Sequence, residues 1–474
     1  MRFSDLEDEP FRFGGFDHVL LGRIGRIGSF VMLAMLTQFI VGAADAMMVG
    51  SMDDVVAATA GQAALGLGTP LYWMVGGFFS AVSYGTQAIT ARRYGAHDEE
   101  GAGRVLPNSV MVGLVAGIIG GVVAFVTAEP LCSFFAESSE AQASLASTYA
   151  EIRAFGLGGT VLIFSFKAFF DGLGRTHLHL IASMAMTLFN IALNFPLIYG
   201  WSRFGLEPMG VEGAAIASAI SSWVGLSVMV GASVRREVRD RFNPFRLRHL
   251  DLGIMGRIVR LMLPSGSASV FLMVGFLLFV KGVSRVDAQA GVGDNLNAAA
   301  TTILMYILGM VALPLMAFGT AAATAVSQAL GAEKPNLAAR AGWESVRGAV
   351  LATAILSGLI WTFTDSIIYV WNPANEAVQA VLVDPLRLVA LMLPIIAVGL
   401  VLSQALYGAG ANVYVMLCEG VLHAGVLVPM SWLLGPILGH GLLGCWAGGS
   451  AYVLGLAILM TARFAGKSWR EIRL

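Results

Sequence analysis

Residues 89–104 read ITARRYGAHDEEGAGR, and residues 325–340 read AVSQALGAEKPNLAAR. Each carries a Gly-Ala pair, an acidic residue soon after it, and then small residues leading to an arginine. The same displacement, within two residues, recurs elsewhere. GRIGRI (22–27) returns as GRIVRL (256–261), DGLGRT (171–176) as YGAGAN (407–412), and GLEPMGVEGAA (205–215) as GHGLLGCWAGG (439–449). Arg153 in EIRAFG falls on Arg387 in PLRLVA. Several anchors in one order at one displacement mark an internal duplication.

The material being duplicated is membrane-spanning. Of 474 residues, 57% are apolar and only 12% charged, too little charge to cover a soluble surface and too much apolar content for disorder. A net charge of −1 gives no argument for a nucleic-acid partner. Apolar stretches of about 20 residues, enough to cross the hydrocarbon core, lie near 27–50, 63–90, 109–127, 147–170, 178–200 and 210–233. A second set lies near 257–281, 298–328, 345–364, 386–406, 413–435 and 442–464. The fold class is therefore all-α, with twelve transmembrane helices in two six-helix bundles. The expected division is an N-terminal segment 1–26, a bundle 27–233, a basic linker 234–256, a bundle 257–464 and a tail 465–474.

Basic residues set the orientation. Arg2, Arg12, Arg23, Arg26, Arg92, Arg93, Arg104, Arg175, Lys334, Arg340, Arg347, Arg463, Lys467, Arg470 and Arg473 fall on one side, as do the eight arginines from Arg235 to Arg260. Only Arg203 and Arg285 fall in loops on the other. Both termini are expected in the cytoplasm, with the chain a multi-pass protein of the cytoplasmic (inner) membrane. Six helices per repeat make the repeats parallel, as in transporters that rock one half against the other. The N-terminus lacks the apolar core of a cleaved signal peptide. Cys132, Cys418 and Cys445 show no metal or redox spacing, only Cys132 falls in an expected loop, and no disulfide framework is expected. Neither a phosphate-binding GxxxxGK[ST] loop nor an HExxH or GxSxG motif occurs, which argues against nucleotide use and against an intramembrane enzyme.

The chain resembles the multidrug and toxic compound extrusion (MATE) family of efflux transporters. The similarity rests on ADAMMVG in the first helix, on TARRYGAHD with its partner VSQALGAEK, and on GLGRTHLHLIASMAMTLFNIALNFPLIYG leading into GVEGAAIAS. It extends over about residues 15–465, with a closer likeness to the DNA-damage-inducible branch. The resemblance implies a V-shaped pair of bundles with alternating access. It implies export of amphiphilic or cationic small molecules against inward H⁺ or Na⁺, with no other cofactor. A monomer in the lipid bilayer is expected. A flippase or exporter of a lipid-linked precursor is the alternative.

Asp45 is the first candidate. A charge at bilayer depth costs on the order of 2.5–3.5 kcal/mol on insertion scales, and such residues are functional by default. A desolvated carboxylate can take up a proton or, ionised, hold Na⁺, and the resemblance implies a coupling-cation role at this position. Asn190 and Asn194 stand i, i+4 on one helix face. Their amide oxygens suit Na⁺, against a rival role as helix–helix contacts worth about 0.6 kcal/mol each. Ser218 joins them where the resemblance implies a hydroxyl. Gln38, two turns before Asp45, either meets substrate or bonds Asp45. In the second half some relatives carry a glutamate eight residues after a proline, but here Pro264 is followed at that spacing by Leu272. Lys281, Glu419 and His423 are the remaining substrate-binding candidates, Glu419 and His423 as a titratable i, i+4 pair and Lys281 with snorkelling to the surface as its rival role. Lys167, Arg153 and Arg387 read as structural, the two arginines tying helix starts to carbonyls or to Glu151 and Asp384.

Overall fold

A computed structural model describes residues 3–11, 15–135, 140–290, 296–371 and 376–474. Arg2 and Arg12 lie outside the described residues. Among the described residues, twelve helices are long and apolar enough to span a membrane. They are α1 (His18–Gly50), α2 (Val55–Gly95), α3 (Glu99–Phe135), α4 (Glu140–Gly172), α5 (His177–Tyr199) and α6 (Gly210–Ser233). The second six are α7 (Leu252–Gln289), α8 (Leu296–Gly331), α9 (Pro335–Thr362), α10 (Glu376–Ala409), α11 (Asn412–Ile437) and α12 (Gly441–Ala465). No strand occurs among the described residues.

The outward faces of these helices are apolar. Along α3, Met111, Leu114, Val115, Ile118, Val122, Phe125 and Val126 are all exposed at helical spacing. In water such a face would demand a partner, whereas in lipid it is the ordinary outer surface of a helix.

The duplication extends to backbone conformation. His97 and Glu333 both carry positive φ, 61° and 59°. Gly174 and Gly410 (72° and 91°) and Gly205 and Gly439 (65° and 75°) repeat the pattern. Each pair sits at the anchor registers read from the sequence, so the same turns connect the same helices in both halves. A non-glycine side chain at positive φ is uncommon, and its recurrence at 97 and 333 marks a turn retained through duplication.

Among the helices that start earlier than the apolar windows suggest are α1 at His18 and α7 at Leu252. The reason is capping. Asp17 Oδ1 accepts the Leu20 amide at 2.9 Å, and Asp251 Oδ1 accepts the Gly253 amide at 2.7 Å. Each cap lets the arginine-bearing turns wind as helix before the chain becomes continuously apolar.

By their contacts the residues form two units, Phe30–Gly266 and Phe3–Ser29 with Ser267–Arg473. In the first, Ile254, Ile258, Leu261 and Met262 of α7 are buried with Tyr72, Val82, Ile89 and Leu157. Ahead of α7, a short helix Arg236–Phe242 carries Arg241, which grips Glu99 through Nε and Nη2 at 2.9 and 2.6 Å. Asn108, fully buried, donates to the His249 carbonyl and accepts the Asp251 amide, both at 2.8 Å. The basic linker is thus a packed segment.

The second unit includes the acidic N-terminal segment. The Phe3 amide donates to Gln328 Oε1 at 3.0 Å. Lys334 Nζ donates to the carbonyls of Ser4 (2.7 Å) and Leu6 (2.8 Å). Arg347 lies over the Phe11 ring at 4.3 Å. In the first repeat Asp98 Oδ1 caps α3 at the Gly101 amide, 2.7 Å. The matching position in the second repeat is Lys334, which cannot accept. Asp8 supplies the missing acceptor, taking the Leu337 amide at 2.7 Å.

Three expectations need correction, the first being Arg285, which lies within α7 rather than in a loop. Cys132 lies buried inside α3 rather than in a loop, because the helix runs on to Phe135 through Pro130. Arg153 and Arg387 do not sit at helix starts, since α4 and α10 begin at Glu140 and Glu376. Arg153 instead lies over the Tyr72 ring at 4.5 Å, and Arg387 over the Trp361 ring at 5.8 Å.

Because Asp8 replaces a lost cap, Asp8→Ala should destabilise the protein by about 1 kcal/mol, the usual worth of a capping acceptor. Asp98→Ala should cost a similar amount. Thermal unfolding of the purified protein in detergent measures both, and an Asp8→Ala protein as stable as wild type would remove the segment's capping role.

Candidate functional site

Asp45 lies five residues before the end of α1, among the small residues Ala43, Ala44 and Ala46. Small residues let neighbouring helices approach closely, and α5 and α6 both do so. The α6 run GAAIAS brings Ser218 in. At Gly213 a side-chain carbon would stand 2.5 Å from the Leu197 carbonyl oxygen of α5, so the two backbones meet there.

The result is one hydrogen-bonded group. Asn194 Nδ2 donates to Asp45 Oδ1 at 2.6 Å, and Ser218 Oγ donates to Asp45 Oδ2 at 2.9 Å. Asn190 Nδ2 donates to Ser218 Oγ at 3.0 Å, and Asn194 Nδ2 also reaches Asn190 Oδ1 at 3.3 Å. All four residues are buried, the asparagines completely. Each carboxylate oxygen thus has its own donor, which is what makes a buried carboxylate tolerable. One acceptor is left over. Asn194 Oδ1 is buried and has no hydrogen-bond partner.

Three further contacts hold the carbonyls of α1 around this group. Thr187 Oγ1 donates to the Thr37 carbonyl (3.2 Å), Gln62 Nε2 to that of Ala46 (3.1 Å) and Tyr199 OH to that of Met48 (2.8 Å). Pro196, two residues beyond Asn194, cannot bond the Ala192 carbonyl, so α5 is loosened beside the site. Arg153 is within Coulombic reach of Asp45 and Tyr149. From the sequence alone this arginine reads as structural.

Asp45, Asn190, Asn194 and Ser218, chosen from three separate segments, therefore meet in one place. Gln38 does not join them. It is half-buried and, among the described residues, makes no hydrogen bond to Asp45, whose oxygens are already engaged.

In the second unit Glu419 and His423 face each other on α11. His423 Nδ1 lies 2.7 Å from the Glu419 carbonyl oxygen and 3.4 Å from Glu419 Oε2. Tyr452 OH of α12 donates to Glu419 Oε2 at 2.8 Å. Sequence reading missed Tyr452, although the 205–215 and 439–449 match places it in the register of Ser218, the residue that donates to Asp45 in the first half. Lys281 is exposed on α7. Lys167 Nζ pairs with Asp171 Oδ2 at 2.6 Å within α4, both buried, a further carboxylate that the sequence reading left out. No group of three His, Cys, Asp or Glu residues that could hold a metal occurs among the described residues.

The MatE family model matches residues 31–196 and 266–433, one stretch in each half. The multidrug resistance protein PmpM of Pseudomonas aeruginosa is 26% identical over 461 residues, spanning 94% of this chain and 91% of that protein. The probable multidrug resistance protein NorM of Thermotoga maritima is 22% identical, over 86% of this chain and 85% of that one. Among solved structures, a eukaryotic MATE transporter, AtDTX14, has a TM-score of 0.82 at 16% identity, covering 96% of this chain and 97% of that one. An outward-facing multidrug resistance MATE family transporter gives 0.80 at 22% identity, over 96% and 97%. At these identities the likeness to solved structures concerns the fold.

Removing the Asn194 donor leaves one oxygen of Asp45 buried without a partner, a loss of about 1–3 kcal/mol. Asn194→Leu should therefore lower the thermal stability of the detergent-solubilised protein. Adding Asp45→Leu should recover part of the loss, because the orphaned charge goes with it. Strictly additive effects of the two substitutions would mean that the contact carries no coupling energy.

Proposed function

The chain belongs to the MatE family, and from that premise we propose that it exports amphiphilic or cationic small molecules against an inward flow of H⁺ or Na⁺. It is a multi-pass membrane transporter and not an enzyme. Its setting in this reading is the cytoplasmic membrane, with both termini inside, where the basic residues concentrate. It works as a monomer with no cofactor beyond the coupling ion.

The observation that carries this reading is the Asp45 group. A carboxylate held by two donors beside an unpartnered buried amide oxygen has two ways of accepting a cation. A proton arriving on Asp45 Oδ1 removes that oxygen's need for a donor. The Asn194 amide then turns to present Oδ1 to the new O–H, which satisfies the leftover acceptor and breaks the Nδ2 bonds to Asp45 Oδ1 and Asn190 Oδ1. A sodium ion would instead take oxygens from Asp45, Asn190, Asn194 and Ser218, the hard ligands such an ion prefers. Either event rewrites the bonds joining α1 to α5 and α6. Cation binding on one side of the membrane and release on the other then changes how these helices pack. Gln38, on the same face of α1 and outside the hydrogen-bonded group, is the position proposed to meet substrate. Lys281, also proposed to meet substrate, would take an anionic portion of it.

Purified protein in vesicles loaded with a fluorescent cationic dye tests the reading, with an acid-outside gradient and a sodium-high-outside gradient imposed separately. Wild type should move dye under one of them. Asp45→Asn should reduce transport to the level of protein-free vesicles while the protein still expresses and folds. Drive by the pH gradient alone makes Asp45 a proton carrier, and drive by sodium alone makes the four residues a metal site. Undiminished transport by Asp45→Asn would overturn the assignment, and silence under both gradients would favour export of a lipid-linked precursor.

A further inference from the structure

We propose that Glu419 and His423, clamped by Tyr452, form a second proton-binding site, contained wholly within the second unit. The inference relies on the exporter reading for the use made of the proton, and not for its binding.

The geometry fixes the protonation pattern. At 2.7 Å from the Glu419 carbonyl oxygen, His423 Nδ1 must carry the hydrogen and donate it. In the neutral ring Nε2 is then a bare acceptor, and it is buried without a partner. A buried acceptor with nothing to accept is costly, and the pair offers an incoming proton two places, this nitrogen and the Glu419 carboxylate. On the nitrogen the proton gives an imidazolium with its counter-ion in place, since Glu419 Oε2 lies 3.4 Å from Nδ1, and on Glu419 it leaves both groups neutral. The pair passes from a net charge of −1 to zero on taking one proton from the aqueous phase, and returns it on release. Tyr452 keeps the carboxylate in position by its 2.8 Å hydrogen bond, and its ring lies 4.5 Å from that of His423.

Two features of the backbone are arranged around this pair. A π-helical turn begins at His423 and runs to Leu427, the kind of irregularity that recurs at functional sites. On α7, Gly275 faces the imidazole so closely that a side-chain carbon there would stand 2.5 Å from His423 Cδ2. The other groups near the pair are few. Besides Gly275, α7 brings Phe271 against Gly420. Tyr407 of α10 is within Coulombic reach of Tyr452. Cys418 and Tyr414 share α11, with Arg463 of α12 over the Tyr414 ring at 5.0 Å. None of these is a second carboxylate that would compete for the proton.

The duplication supplies an independent argument. Glu419 and His423 stand at the registers of Ser183 and Thr187, where Thr187 Oγ1 likewise donates back to the Ser183 carbonyl, at 2.9 Å. Tyr452 stands at the register of Ser218. The second unit therefore places a carboxylate on α11 and none at the α7 positions Leu272 and Phe279, which are apolar, while keeping the donor from its last helix.

Infrared difference spectra of the purified full-length protein, recorded between acid and neutral buffer, provide the test. The Asp45→Asn background removes the Asp45 carboxyl; Asp171, ion-paired with Lys167, remains in every variant and cancels from the comparison. A buried, non-hydrated carboxyl or an imidazolium signal should persist there and vanish when Glu419→Gln is added. His423→Asn should abolish the imidazolium part alone. Should Glu419→Gln fail to fold, Tyr452→Phe and Gly275→Ala serve instead. Both should move the midpoint of that signal, the first by removing the donor and the second by displacing the ring. Spectra unchanged by all four substitutions would overturn the proposal. Loss of transport in Asp45→Asn with the signal intact would separate this site from the Asp45 reading, and so would the reverse.

Discussion

In hydrocarbon no water is available to solvate an ion, so every buried carboxylate has to be supplied with donors by the surrounding helices. Asp45 meets this requirement with Asn194 from α5 and Ser218 from α6. The requirement in turn explains much of the first unit. α5 and α6 touch at Gly213, α1 carries alanines around its aspartate, and the α1 carbonyls of Thr37, Ala46 and Met48 are met by side chains from α2 and α5. These contacts fix three helices at the depth of one charge. Their dependence on that charge is what makes the site responsive, because neutralising Asp45 removes the reason for two of the bonds.

Much of this was legible before any coordinates. The twelve spans and the repeat follow from apolar windows and from short anchors, since both reflect constraints that act at every residue. The four site residues were legible because polar side chains at bilayer depth are rare enough to be individually conspicuous. What stayed hidden depends on contacts between segments distant in sequence. Asp8 as the cap of α9 could not be read locally, because its partner is more than three hundred positions away. The placement of Arg153 over Tyr72 within reach of Asp45 was obscured in the same way, since a basic residue near a helix end reads as an anchor. Tyr452 carried a usable signal in its register with Ser218, but a tyrosine among aromatic helices does not attract notice alone.

The loss of the Asp98 counterpart shows how a duplicated chain diverges. The turn kept its backbone conformation, φ 61° at His97 and 59° at Glu333, while the next residue changed from acceptor to donor. The α9 amides still needed an acceptor. The N-terminal segment provides one in Asp8, and Lys334 holds that segment by its carbonyls. Where the first repeat has a local cap the second has a tertiary one, and the residue at that position holds the N-terminal segment instead.

The same logic governs the two carboxylates. A charge on the first helix of the repeat needs donors from the fifth and sixth, and the first unit provides Asn194 and Ser218. In the second unit the corresponding stretch of α7 is apolar, so donors there would have nothing to hold. Moving the acid to α11 shortens the network, because His423 lies one turn along the same helix and only Tyr452 comes from another. The cost is borne by α7, which must present Gly275 to leave room for the imidazole. A site built mostly on one helix couples fewer elements than one that joins three. On the proposed readings, protonation at Glu419 and His423 would act on α11 and its π-helical turn, whereas a cation at Asp45 would act on the packing of α1, α5 and α6 together.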